Sequence, residues 1–206
     1  MRTSLVSVDV LAVRRRGGDV EFATYRRTTE PFNGRYALPG VLLLEGERLE
    51  AAGRRALATK TGLTTSTIGQ LVLFDEPSRD PRGATLSATL WAVADDDSPT
   101  VEWRPIGDPG TLAFDHAEIV SFCQPMIAGL LWSDLPFTRA LMGERFTVGD
   151  ALATTAALSG DMPDRGNLNK KLATVPGLRH AGFGAGRGRP SQWEWPAAAC
   201  SKACVT

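Results

Sequence analysis

Residues 39 to 63, from Pro39-Gly40-Val41 to Thr61-Gly62-Leu63, constrain this chain more than any other stretch. Leu49, Ala52, Ala56 and Leu57 recur at helical spacing, so a helix here carries an apolar stripe that has to be buried. β-Branched, alternating runs stand on both sides of it: Leu5 to Val13 and Val20 to Tyr25 before, Ile68 to Phe74 and Ala84 to Ala94 after. Arg14-Arg15-Arg16-Gly17-Gly18-Asp19 reads as the turn between the first two strands, its arginines a solvated hairpin end. A second apolar helix runs from Asp115 to Trp132, and His116 at its start is expected to make a helix-start hydrogen bond rather than serve as a base. Strands and helices mixed in this order make an α+β chain.

Positions 56, 59 and 60 stand at i, i+3 and i+4, so they share one face of the first helix. Three carboxylates there would hold Mg²⁺ or Mn²⁺ against a diphosphate and help to activate a water. This chain has Ala56, Thr59 and Lys60. A methyl, a hydroxyl and an ammonium make no site for a hard cation, so no metal, no cofactor and no catalytic residue is expected. Taken alone, the helix also fits an ordinary amphipathic segment.

A chain of 206 residues, 43% hydrophobic, holds one large domain or a medium and a small one. No apolar run approaches the roughly 20 residues of a membrane span, and the N-terminus leads straight into a strand pattern. A cytoplasmic protein without a membrane partner is expected. Cys123, Cys200 and Cys204 lack the spacing of a disulfide framework or a zinc site. Charge is uneven: residues 1 to 138 carry 14 Lys and Arg against 18 Asp and Glu, and residues 139 to 206 carry 9 against 5. The asymmetry suggests two domains, 1–138 and 139–206, the second with an anionic partner.

Residues 133 to 145 read as the boundary region. Phe146-Thr147-Val148-Gly149-Asp150 then opens a helix, with Thr147 and Asp150 at capping-box spacing. A second short helix begins at Asp164-Arg165-Gly166 and ends at Pro176-Gly177, although Gly166 is unfavourable inside a helix. Leu178 to Gly184 and Ser191 to Trp195 form a hairpin around Gly184-Ala185-Gly186-Arg187-Gly188-Arg189-Pro190. Helix, turn, helix and basic hairpin is the order of a winged helix-turn-helix. Arg165, Asn167, Asn169, Lys170 and Lys171 then lie on the recognition helix, where Asn suits adenine and Arg or Lys suits guanine. Arg187 and Arg189 on the hairpin tip can approach phosphates or a minor groove. The plainer reading makes Lys170 and Lys171 a solvated helix face.

The ungapped run from Val41 to Leu63 resembles a Nudix box: Val41 falls at the first Gly, Glu47 at the first Glu, Arg55 at the Arg, and Gly62-Leu63 at the close. Pro31 to Gly40 is similar to the lead-in of Nudix proteins, with Tyr36 at the usual Trp. Arg79-Asp80-Pro81-Arg82 and Leu112 to His116 resemble a narrower group, the Nudix-related transcriptional regulators of NAD metabolism and nearby ADP-ribose-type Nudix proteins, and Phe146-Thr147-Val148, Asp164 to Leu172 and Gly188-Arg189-Pro190-Ser191 resemble the regulators. Gly166, Leu168, Asn169 and Lys170 depart from that group's pattern. The resemblance spans about residues 5 to 196 and implies a Nudix-like α/β/α sandwich followed by a C-terminal winged helix.

The function so implied is a DNA-binding regulator, a homodimeric repressor, whose non-catalytic Nudix domain senses an ADP-ribose-like nucleotide and whose winged helix binds a palindromic double-stranded operator. Arg27, Arg35, Arg55, Arg79 and Arg82 are the candidate phosphate contacts, since guanidinium groups bind phosphate bidentately. Lys60, in a metal-ligand position, can replace the cation with its own charge, and Tyr36 or Phe32 can stack on a base. Arg55 has a second possible role, an ion pair with Glu47. The rival reading is a Nudix hydrolase of a nucleoside diphosphate derivative whose carboxylates come from Glu45, Glu47, Glu50 or Asp115. A third makes both domains protein-interaction modules.

Overall fold

The computed structural model describes residues 4–184 and 190–196. Its central strand, β1 (Leu5–Arg16), is buried on both faces, which is why it reads as a nearly continuous apolar run. Val8, Val10 and Ala12 pack with Ala52, Ala56 and Leu57 of α1 (Leu49–Thr61). Leu11 and Val13 face the opposite layer, with Ile119, Val120 and Ile127 of α2 (His116–Leu130) and Phe137 of α3 (Leu135–Met142). The helix α1 ends at Gly62, whose φ of 70° is the left-handed conformation that glycine adopts at no steric cost.

The mixed sheet runs β3 (Tyr36–Ala37), β2 (Asp19–Arg26), β1, β6 (Thr85–Val93), β5 (Thr67–Phe74). β1 and β6 are parallel, in register from Leu5 opposite Thr85 to Val13 opposite Val93. Two short strands lie off this path: β4 (Gly40–Leu42) pairs with β1, and β7 (Val101–Pro105) pairs with β2. Cys123 is buried in the α2 layer, and burial pushes its thiol up to about 12, so it stays protonated.

After α2 the chain runs α3, β8 (Arg145–Thr147), α4 (Val148–Ser159), α5 (Arg165–Thr174), β9 (Arg179–Phe183) and β10 (Ser191–Glu194). β8, β10 and β9 form a separate antiparallel sheet. Thr147 and Asp150 form the reciprocal capping box at the start of α4. Asp164 caps α5 by accepting the Asn167 N–H at 2.8 Å, which places Gly166 in the first turn, where a residue still has no helical N–H bond to lose.

Three local expectations change. Residues 133–145 fold largely as α3, capped by Asp134, so position 139 lies within a helix. Phe146 belongs to β8 rather than to the helix start, and Thr147 both ends that strand and caps α4. Two of the three arginines at the first turn are engaged: Arg14 bonds Glu21 and Asp97 and lies over the Trp103 ring, and Arg15 reaches Asp150 at 3.3 Å. That last pair ties the first hairpin to α4. The Trp132 indole N–H donates to Thr155 Oγ1 and the Gln124 amide donates to the Leu158 carbonyl, both at 3.0 Å. One apolar cluster continues from Leu11 and Phe22 through Phe137 to Leu168 and Trp193, so the core does not divide between the two parts of the chain.

Candidate functional site

A cleft of about 370 Å³ opens where β1 and β4 meet the loops before α1 and α2. Asp9, a buried acid on its floor, is 4% exposed and set in the middle of an apolar strand. Asp9 Oδ2 accepts the hydroxyls of Ser87 at 2.6 Å and Ser7 at 3.0 Å. Register places Gly40 opposite Asp9, and a Cβ on Gly40 would overlap the Asp9 carboxylate. The Gly of Leu38-Pro39-Gly40 is therefore needed for this approach.

His116 is a buried ring whose Nδ1 accepts the Leu38 backbone N–H at 2.9 Å, while Nε2 lies 3.7 Å from Asp9 Oδ1. The expected helix-start hydrogen bond is thus replaced by a tie between α2 and the loop before α1, because the ring turns into the cleft. With Nδ1 accepting, the neutral ring carries its proton on Nε2, toward Asp9. Burial pushes His116 below the ordinary imidazole range, and Asp9 and Asp115 oppose that shift.

This yields a stability prediction. As pH falls below about 6.5 the unfolded imidazole takes up a proton that the folded ring resists, so the unfolded state binds more protons. Stability contributed by the neutral ring is present above that pH and is lost on acidification toward the depressed folded value, at up to about 1.4 kcal/mol per pH unit. In urea unfolding between pH 7.5 and 5.5, His116→Gln, which keeps an acceptor for Leu38, should lose stability less steeply than the parent. Equal slopes would remove the assignment.

Around this floor stand five cations. Arg79 is held in a fork by Asp115, with Nε and Nη2 at 2.8 and 2.7 Å, and its Nη2 is 3.8 Å from Asp9. Arg82 pairs with Asp80. Burial raises the Asp80 carboxyl, and the Arg82 guanidinium and backbone N–H outweigh it, leaving the group below the usual range. Arg55 on α1 makes two bonds to Glu47 and a third to the Leu42 carbonyl. The two Arg55 bonds, with the Leu44 backbone N–H, hold the Glu47 carboxyl down at about 2. Arg27 donates to the carbonyls of Pro31 and Thr29 and stacks on Phe114, and Lys60 lies over the Tyr25 ring.

Of the residues singled out from sequence for a ligand, Arg27, Arg55, Lys60, Arg79 and Arg82 line the cleft. Glu47 is held against Arg55 at the cleft's edge. Arg35 sits instead over the Phe32 ring, and Tyr36 lies under the Arg104 guanidinium against the core, so neither is a lining residue. Phe32 packs edge-on against Phe114, which itself lines the cleft. Asp9, Tyr25, Asp80, Phe114 and His116 were not singled out as ligand contacts. For Asp9 a signal existed, a lone acid in an apolar strand; for the others the contacts are long-range.

The residues at the motif's metal positions do not fit a divalent cation. Ala56 is fully buried beneath α1, Thr59 donates its hydroxyl to the Arg55 carbonyl, and Lys60 presents an ammonium to the cleft. Among the described residues no three His, Cys, Asp or Glu side chains form a metal-binding group.

On the other part of the chain, Leu168 and Leu172 bury one side of α5. Arg165, Asn167, Lys170 and Lys171 are exposed on it and Asn169 is half-buried. Arg187 and Arg189 lie outside the described residues. Among the described residues no helix is long and apolar enough to cross a membrane.

No protein-family model matches the chain. It is 32% identical over 109 residues to the ADP-ribose pyrophosphatase of Methanocaldococcus jannaschii, a match covering 50% of this chain and 64% of that protein. The chain thus spans less than two thirds of that relative. The fold is similar to that of Shewanella oneidensis NrtR complexed with a 27-mer DNA, with a TM-score of 0.77, 24% identity, and 92% of each chain covered. The NUDIX domain of the same NrtR, complexed with ADP ribose, matches with a TM-score of 0.55 and 27% identity, covering 62% of this chain and 90% of that one. The chain has an α+β Nudix fold extended by a C-terminal part, the arrangement of NrtR.

Proposed function

We propose that this protein is a transcriptional regulator, a repressor, whose Nudix-fold part binds an ADP-ribose-like nucleotide without hydrolysing it and whose C-terminal winged helix-turn-helix binds operator DNA. The observation that carries the reading is the substitution of Ala56, Thr59 and Lys60 for carboxylates beside a cleft otherwise built for anions. The likeness to NrtR, solved with DNA and with ADP ribose, supports both ligands. The order α3, β8, α4, α5, β9, β10 supports the winged helix, with α5 as the recognition helix.

Two copies on a palindromic operator place two recognition helices about 34–36 Å apart. A ligand acts on that spacing only through different affinities for two arrangements. The lever is α2, whose first residues meet the cleft through Asp115 and His116 and whose Gln124 reaches α4.

The decisive experiment titrates the full chain against operator DNA by fluorescence anisotropy at several salt concentrations, with and without ADP-ribose. Lys170→Ala is expected to weaken binding to all sequences and reduce the salt slope by about 1. Asn167→Ala is expected to relax preference at one base pair, at a cost of about 1–3 kcal/mol. A chain that binds no DNA, or one whose operator affinity ignores ADP-ribose, contradicts the proposal.

The similarity to an ADP-ribose pyrophosphatase keeps a hydrolase as the rival. In that reading Glu47 or Asp115 must leave its arginine to take a cation. ADP-ribose with Mg²⁺ or Mn²⁺ is expected to remain intact; sustained turnover abolished by Glu47→Gln would decide for the rival.

A further inference from the structure

Among the described residues five cations line the cleft, and their partners divide them into two kinds. Arg55, Arg79 and Arg82 are each in an ion pair with Glu47, Asp115 and Asp80, while Asp9 is shared between the neighbourhoods of Arg79 and His116. Arg27 and Lys60 have no carboxylate within 4.0 Å among the described residues. The contrast matters most for Arg27, which is only 9% exposed. A guanidinium taken that far out of water is costly without an anion, and carbonyl groups compensate only part of its charge.

Tyr25 touches both free cations. Its hydroxyl accepts from Arg27 Nη1 at 3.4 Å, and the Lys60 ammonium lies 5.7 Å from the centre of its ring. Burial also raises the phenol, so its O–H stays available as a donor. The three residues come from the strand β2, the segment just after it and the end of α1. They bring two charges and a neutral donor to one wall of the cleft.

We infer that Tyr25, Arg27 and Lys60 form a phosphate subsite that binds the diphosphate of a nucleotide diphosphate ester with no divalent cation. The inference rests on reading the cleft as a nucleotide site and says which of its cations act on the ligand. Lys60 supplies, from a position where carboxylates would collect a metal, the positive charge itself. Arg79 serves to hold the loops, since its side chain is 4% exposed and a ligand phosphate would have to displace Asp115 to reach its fork, while Arg82 spends its Nε and Nη2 on Asp80.

Calorimetric titration of the full chain tests this with two probes, ADP-ribose and inorganic pyrophosphate, each in EDTA and in Mg²⁺. ADP-ribose is expected to bind equally in both buffers. Lys60→Ala should weaken it by roughly tenfold or more, as loss of a charge-assisted contact does, with Lys60→Arg retaining most of the affinity. Lys60 is exposed, so the variants should keep the parent's melting temperature. Binding that requires Mg²⁺ overturns the inference, as does EDTA-resistant binding that Lys60→Ala leaves unchanged; in that second case the nucleotide reading survives. If pyrophosphate binds through Lys60 and ADP-ribose does not bind, the subsite stands and the nucleotide reading falls. If neither binds, both fall.

Discussion

Replacing Arg79 by alanine is expected to destabilise the protein by about 3–5 kcal/mol, the cost of breaking a buried charge pair from one side. The Arg79 side chain is 4% exposed and its fork is filled by both oxygens of Asp115, with Asp9 close behind. Its removal leaves two poorly hydrated carboxylates facing each other across the space it occupied. Arg79→Lys should recover little, because an ammonium cannot make the two parallel bonds. Asp115→Ala alone is expected to be costly too, whereas Arg79→Ala combined with Asp115→Ala should cost less than the two single losses added. Urea unfolding of the four variants beside the parent measures this directly. A loss below about 1 kcal/mol for Arg79→Ala would place the pair among exposed, weakly contributing ones.

The second large effect is expected at Phe137. Its side chain is fully buried and meets Trp91 edge-on, with ring centres 5.2 Å apart at 85°. Truncation to alanine removes that contact and leaves a cavity between α3 and the sheet, which costs about 3–5 kcal/mol. Because the apolar cluster runs unbroken from the large sheet into the C-terminal part, the destabilised protein should still unfold in one step. Far-ultraviolet circular dichroism and tryptophan fluorescence should give coincident transitions. Two separated transitions in Phe137→Ala, or an unchanged midpoint, would show that α3 does not join the two parts in the way its packing indicates.

α3 is also the clearest case of an element that the sequence carried and pattern reading passed over. Asp134-Leu135-Pro136 holds an N-cap and a proline of the helix start, and the structure uses both. The eight-residue helix is too short to show a repeating stripe, so Phe137, Leu141 and Met142 read as a boundary. β3, β4 and β7, two to five residues each, escaped for the same reason: a period cannot be recognised in a segment shorter than two or three repeats. Longer elements were legible. α1 and α2 and the strands β1, β2, β5 and β6 lie within a few residues of where periodicity puts them, and the caps at Thr147 and Asp164 mark the starts of α4 and α5.

The candidate site divides along the same line. Sequence alone determined which groups are available: no carboxylate at positions 56, 59 and 60, a lysine at the last of them, a lone acid in β1, and a basic C-terminal part. These are matters of covalent identity and of spacing along a helix or strand, where neighbours are set by geometry within a few residues. Only the tertiary structure decided which charges meet. Arg14 reaches Asp97 across 83 positions, Arg79 takes Asp115 across 36, and His116 turns to Leu38 across 78. Each choice follows from distance in space, since a charge acts strongly only on groups within a few ångströms and is screened beyond about 8–10 Å. Among the described residues Arg27 and Lys60 lack carboxylate partners for that reason: the fold brings carboxylates to the other cations of the cleft and brings Tyr25 to these two.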